Sequence, residues 1–191
     1  GRPVARSRVN GAGGRSSGWS SSTRASWGPA GPAAPRRACW PGPGSASSCS
    51  KHATASAADL NFTGTTLSGG TFNGASLQGK PAVLWFWTPW CPFCNQEAPN
   101  VAAVSAANPG VTFVGIATRA DNSALQNFVS KYGLNFTNIN DADGSIWAKF
   151  NVPWQPAYVF LSPDGTSTFV NNPTSAMSQQ ELTDRVQALS A

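Results

Sequence analysis

The sequence predicts an α/β fold: a three-layer α/β/α sandwich with a central mixed sheet and an N-terminal β-hairpin. Three observations lead there. Segments of strand character alternate with segments of helical period from residue 60 to the C-terminus. The last two strands follow one another through a turn and not a helix, which requires an antiparallel neighbour beside the parallel pairs. All ten Phe, both Tyr and five of the eight Trp lie beyond Ala58, so one core forms from about Asp59 to Ala191.

Leu60 to Leu77 alternates apolar and small polar residues around Gly64, Gly69-Gly70 and Gly74, as short hairpin strands do. Ala82 to Trp87 is an unbroken apolar run flanked by Pro81 and Pro89, the mark of a strand covered on both faces. Cys91 to Ala107 is Ala-rich and helical, with Pro92 at a first-turn position and Pro99 inside, where it removes the bond to the Asn95 carbonyl. Val111 to Ala117 is a second buried strand. Asp121 caps a helix whose Leu125, Phe128, Val129 and Tyr132 share a face, and Gly133 stops it. Asn135 to Ile139 forms a short strand and Asp141 to Phe150 a short helix. Tyr158 to Leu161 and Thr166 to Val170 make a hairpin through Pro163-Asp164-Gly165. A last helix opens at Ser178 with Glu181 three residues on, and Leu182, Val186 and Leu189 recur at helical spacing.

The first 58 residues differ in kind. Among Val, Ile, Leu, Phe and Met they hold only Val4 and Val9, too little apolar surface to offset chain entropy. They carry eight basic side chains and no acid, while residues 59–191 carry five basic and eight acidic ones, a net −3. The overall +5 thus belongs to the tail and does not mark the folded part as a binder of nucleic acid or anionic membrane. No apolar run reaches the roughly 18 to 20 residues of a membrane span. Ala53 to Ala58 reads like the A-x-A end of an export signal, yet no apolar h-region precedes it. Residues 1–58 therefore read as a tail of misassigned frame, as a disordered linker or export segment, or as an Arg/Gly arm touching RNA. Cys39 and Cys49 within it are an auxiliary pair or simply part of an unfolded stretch.

Chemistry concentrates at Trp90-Cys91-Pro92-Phe93-Cys94, directly after a buried strand and at the opening of a helix, the placement a redox C-x-x-C requires. Unpaired N–H groups and the positive helix end favour a thiolate there, which predicts Cys91 to be the exposed, reactive sulfur. Cys94, one turn deeper on nearly the same face, is placed to pair with it. Zinc needs about four ligands, and residues 59–191 offer two Cys and no His, so a metal site and a Cys-His protease are both disfavoured. No cofactor is expected. A structural disulfide is the bland alternative. Glu97, three residues after Cys94, either exchanges the Cys94 proton or stabilises the helix dipole as a first-turn acid. Trp85 and Trp87 alternate on a strand and belong to the core. Two Asn-x-Thr triplets, at Asn61 and Asn135, are too short a pattern to weigh.

The run Val83 to Cys94, the internal Pro99, and Asn151-Val152-Pro153-Trp154-Gln155-Pro156-Ala157 together resemble the thioredoxin superfamily. Within it they resemble the extracytoplasmic DsbE/TlpA/ResA-like branch, closest to secreted actinobacterial DsbE-like thiol-disulfide oxidoreductases. The likeness covers about residues 59–191. It implies a thioredoxin-like sandwich, Cys91 as attacking and Cys94 as resolving cysteine, and a cis bond before Pro156 that presents the Gln155 backbone to an extended substrate. It also implies Trp90, Phe93 and Trp154 as an apolar rim.

The expected protein is a secreted or extracytoplasmic enzyme of the cell envelope that forms disulfides in exported thiol proteins and is recharged by an unidentified redox partner. The competing readings are a disulfide reductase of the cytochrome c maturation type and a non-catalytic peptide-binding module. Oxidation and reduction use the same two sulfurs in opposite order.

Overall fold

The structure is a computed structural model and describes residues 57–189. Cys39, Cys49, His52 and the three readings of the N-terminal tail lie outside the described residues. Every described residue belongs to one compact unit.

Strand β3 (Ala82–Trp87) organises the architecture, because all six of its residues are buried. Side chains alternate across a strand. Val83, Trp85 and Trp87 enter one core cluster, and Ala82, Leu84 and Phe86 enter another on the opposite face. The other strands are β1 (Thr63–Thr66), β2 (Thr71–Asn73), β4 (Thr112–Ala117), β5 (Thr137–Asn140), β6 (Ala157–Leu161) and β7 (Ser167–Asn171). They form one sheet in the order β2-β1-β5-β4-β3-β6-β7. β3, β4 and β5 run parallel, whereas β6 pairs antiparallel with β3 (Trp85 opposite Tyr158) and β7 with β6. The predicted mixed sheet and the order of elements after the N-terminal hairpin are thus found.

Helices cover both faces. Helices α1 (Pro92–Ala107), α2 (Asn122–Tyr132) and α4 (Gln179–Gln187) supply Val101, Val104, Leu125, Phe128, Leu182 and Val186 to the first cluster. Helix α3 (Ser145–Lys149) supplies Ile146 and Trp147 to the second. Their ends follow the caps in the sequence. Asp121 accepts from Ala124 N at 2.8 Å, Ser178 from Glu181 N at 3.2 Å, and Gly133 closes α2 at φ +62°, a left-handed position suited to glycine.

Three boundaries differ from expectation, two of them through a polar side chain. The Asn73 carboxamide accepts from Ala75 N at 3.0 Å and turns the chain into a 3₁₀ turn, Gly74–Leu77, where strand was expected. The strand expected at Asn135 to Ile139 begins only at Thr137. The helix expected from Asp141 begins at Ser145, because the buried Asp141 carboxylate accepts from Ile146 N (3.2 Å) and Trp147 N (2.9 Å) and stands outside the helix it caps.

Candidate active site

The turn between β3 and α1 follows from three local facts. Thr88-Pro89-Trp90 cannot continue a strand through Pro89, Pro92 needs no N–H partner in a first turn, and Cys91 accepts the opening N–H contact. Cys91 is the cap residue of α1 (φ −76°, ψ 121°), and its Sγ accepts from Cys94 N at 3.3 Å. Both cysteines are free thiols. Cys94 is wholly buried, as the spacing implied, but the expected exposure of Cys91 is not found: it is 3 % exposed. The head of α1 lies against the loop before β6, so the cap side chain is enclosed, and its thiol faces the Gln155 carbonyl at 4.0 Å. Burial pushes the Cys94 thiol well above its ordinary value, helped by its hydrogen bond with Cys91 and by the negative charges of Cys91 and Glu97.

Glu97 lies beyond Cys94 on the same helix and is also wholly buried. It belongs to the second turn, so the first-turn dipole role is overturned. Its Oε1 accepts from Trp85 Nε1 at 2.7 Å and its Oε2 from the Met177 N–H at 2.9 Å. Burial nonetheless lifts this carboxyl to about 7, and the N–H donors only moderate the shift. The Tyr158 hydroxyl lies close enough to feel Glu97 and Cys94, and burial drives it far above the usual phenol value. It has no hydrogen bond of good geometry among the described residues.

Two walls flank the cysteines. Trp90 and Trp154 are exposed by 56 % and 61 %, the two large apolar side chains that are exposed among the described residues. Trp90 Nε1 donates to the Arg119 carbonyl at 3.3 Å, and Arg119 itself holds a left-handed backbone at φ +58°. On the other wall the Gln155-Pro156 bond is cis, Pro156 is buried and Gln155 half-buried. Phe93 is half-buried and packs against the first core cluster, which leaves less of it for contact than expected.

The sequence reading passed over two asparagines that hold these walls. Asn95 Nδ2 donates to the carbonyls of Pro89 and Cys91, each at 2.9 Å, and Asn171 Nδ2 to those of Trp154 (2.7 Å) and Pro156 (3.0 Å). No motif marks either; only their position beside the cysteines and beside the partner strand of the Pro156 loop offered a signal. A cavity of about 450 Å³ lined by Leu67, Val129 and Phe136 contains none of the predicted site residues.

A dithiol at a helix start, at the end of the central strand of a mixed sheet and facing a cis-proline loop, defines a class of protein. This is a thioredoxin-like thiol-disulfide oxidoreductase. Residues 55–172 match the AhpC/TSA family, and the chain belongs to that family. It is 76 % identical over 132 residues to the soluble secreted antigen MPT53 of Mycobacterium tuberculosis, covering 69 % of this chain and 76 % of that one. It is similar to the crystal structure of a secreted Mycobacterium tuberculosis disulfide oxidoreductase homologous to E. coli DsbE, with a TM-score of 0.68 and 76 % identity over 69 % of this chain and 98 % of that one. It is also similar to M. tuberculosis dsbF in mixed oxidised and reduced forms, with a TM-score of 0.66 and 53 % identity over 69 % and 97 % of the two chains. Among the described residues no helix is long and apolar enough to cross a membrane.

Proposed function

We propose that this oxidoreductase forms disulfides in exported proteins, with Cys91 as the attacked sulfur and Cys94 as the resolving one, in a domain spanning residues 59–191. The observation behind this reading is the asymmetry of the pair: Cys91 Sγ holds a backbone N–H donor at the helix cap, while Cys94 lies below it as a buried thiol of raised pKa. In the oxidised enzyme a substrate thiolate attacks Cys91 Sγ. The S–S bond to Cys94 breaks, its electron pair goes to Cys94 Sγ, and that sulfur takes a proton. A second substrate thiolate then attacks the substrate sulfur of the mixed disulfide and releases the Cys91 thiolate. Two electrons have passed to the enzyme, and an extracytoplasmic redox partner removes them.

Glu97, raised to about 7, is the nearby group able to give Cys94 its proton near neutrality. A Glu97→Gln protein whose exchange rates keep the wild-type pH profile would remove it from the reaction. Trp90, Phe93 and Trp154 form the apolar rim, and the Gln155 backbone beside Pro156 pairs with an extended substrate segment. The oxidising direction is supported by the hydrogen bond accepted by Cys91 Sγ, which stabilises the dithiol, and a stabilised dithiol makes a stronger oxidant. The secreted relatives and the A-x-A end at Ala53 to Ala58 support action outside the cytosol.

The deciding experiment is the equilibrium of Cys91 and Cys94 with glutathione, read as a midpoint potential. A value of about −120 to −180 mV is expected for a disulfide-forming enzyme. A value at or below about −270 mV would assign the reducing direction instead.

A further inference from the structure

We propose that Asn95 is a positioning residue that sets the redox poise of the Cys91–Cys94 pair, and that Tyr132 holds it in place. This rests on reading those two cysteines as the reacting pair. An asparagine amide offers two N–H donors and an acceptor oxygen, and Asn95 uses all three. Nδ2 donates to Pro89 O and to Cys91 O at 2.9 Å each, and Oδ1 accepts from Tyr132 Oη at 2.7 Å. Carbonyls only accept, so the nitrogen must face them and the oxygen must face the tyrosine. The Cys91 carbonyl also accepts the first helical bond, from Asn95 N at 3.1 Å. One residue therefore grips both ends of the turn that displays Trp90 and Cys91.

The grip is anchored in the core. Tyr132 ends α2, and its ring meets Phe128 edge-on at 4.8 Å. Phe128 stacks on Trp87 at 4.3 Å, and Trp87 ends β3, so the active-site turn starts at the next residue. Strand, turn, α1 and α2 thus close into a ring through Asn95, without passing through either sulfur. Asn171 makes the matching two-carbonyl contact on the opposite wall, but neither of its partners is a cysteine.

The consequence is redox poise. Holding the Cys91 carbonyl fixes the cap conformation that aims Cys91 Sγ at the Cys94 N–H, a contact this dithiol form makes at 3.3 Å. Without the grip the turn relaxes, the contact weakens, and the dithiol loses stability relative to the disulfide. In exchange with glutathione, two glutathione thiols become one disulfide while the Cys91–Cys94 bond is reduced to two thiols, the two protons passing from one pair to the other. That equilibrium reads the change directly.

The test uses the full chain, equilibrated in a glutathione series and alkylated. Peptide mass spectrometry then separates Cys91 and Cys94 from Cys39 and Cys49. Asn95→Ala is expected to move the equilibrium about tenfold toward the disulfide, a potential lower by about 30 mV. Tyr132→Phe is expected to move it about threefold in the same direction. The double variant should match Asn95→Ala alone, since Tyr132 acts through Asn95. An equilibrium within about twofold of wild type in Asn95→Ala, with only the unfolding temperature lowered, overturns the proposal, and additive shifts in the double variant overturn the role of Tyr132. If Asn95→Ala does not fold, Tyr132→Phe decides: an unchanged equilibrium overturns the proposal. The readout needs no turnover, so a wild type inactive in refolding would end the oxidase reading while leaving this one measurable.

Discussion

The two faces of the central sheet are buried alike and built differently. The face toward α3 is packed by Leu60, Phe62, Leu84, Phe86, Ile116 and Ile139, and two polar contacts tie α3 to it. Trp147 Nε1 donates to Ile116 O at 3.0 Å, and the Asp141 carboxylate caps α3. The face toward α1 holds both cysteines and Glu97 among Trp85, Trp87 and Tyr158, and there the Tyr158 hydroxyl lies against the Glu97 carboxyl. Each side buries one acid, and burial raises both. Asp141 is tied into a cap, whereas Glu97 reaches about 7 beside a thiol. Burying an ionisable carboxyl costs stability, and on this face the cost falls beside Cys94, whose thiol feels the Glu97 charge. One face serves stability, and the other gives some of it up for chemistry.

Replacing a sulfur tests that division most severely. Cys91→Ser is expected to lower oxidative refolding of a reduced substrate by at least about 10³-fold, a barrier change of about 4 kcal/mol, while the reduced protein unfolds near the wild-type temperature. Activity equal to wild type would end the enzyme reading altogether. The opposite face should answer in stability alone. Phe86→Ala removes a wholly buried ring and is expected to cost about 3–5 kcal/mol in denaturant unfolding, with the refolding rate per folded molecule unchanged. A tenfold fall in that rate would mean the faces do not act separately.

Glu97 sharpens the comparison through pH. Its folded-state value of about 7 exceeds the ordinary 4.5, so the native state holds this proton longer than the unfolded chain does. The stabilisation is complete below pH 4.5 and is lost as pH rises through about 7, amounting to about 3 kcal/mol. Glu97→Gln should abolish that slope in urea titrations from pH 4 to 8. At pH 4, where Glu97 is protonated and its hydroxyl oxygen still accepts, Glu97→Gln should lower stability by about 1–3 kcal/mol, because an amide cannot accept from both Trp85 and Met177. The smallest effect belongs to α4, which packs on the reactive face but far from the sulfurs in sequence. Ser178→Ala removes its cap bond and should cost about 1 kcal/mol without moving the glutathione equilibrium, showing that poise resides in the turn and not in every element on that face.

Much of this was legible in advance wherever structure is local. The all-buried β3, the caps at Asp121 and Ser178, the stop at Gly133 and the turn after Ser162 follow from patterns a few residues long. The placement of Cys91 and Cys94 at the head of a helix was legible for the same reason. Gly115 was not: a side chain there would collide with Asn138 and Trp87, a constraint created by β5 and β3 meeting β4.

The sequence by itself determined the alternation of strands and helices, the ends of most of them, and the presence of two thiols one helical turn apart. Periodicity and capping act over a few residues, so they survive in any context. Only the tertiary structure decided that Cys91 is enclosed by a loop 64 residues away, that Glu97 is held by Trp85 and by Met177 80 residues on, and that Tyr132 reaches Asn95. Desolvation and directional hydrogen bonds depend on which distant groups packing brings together, and no local pattern encodes that.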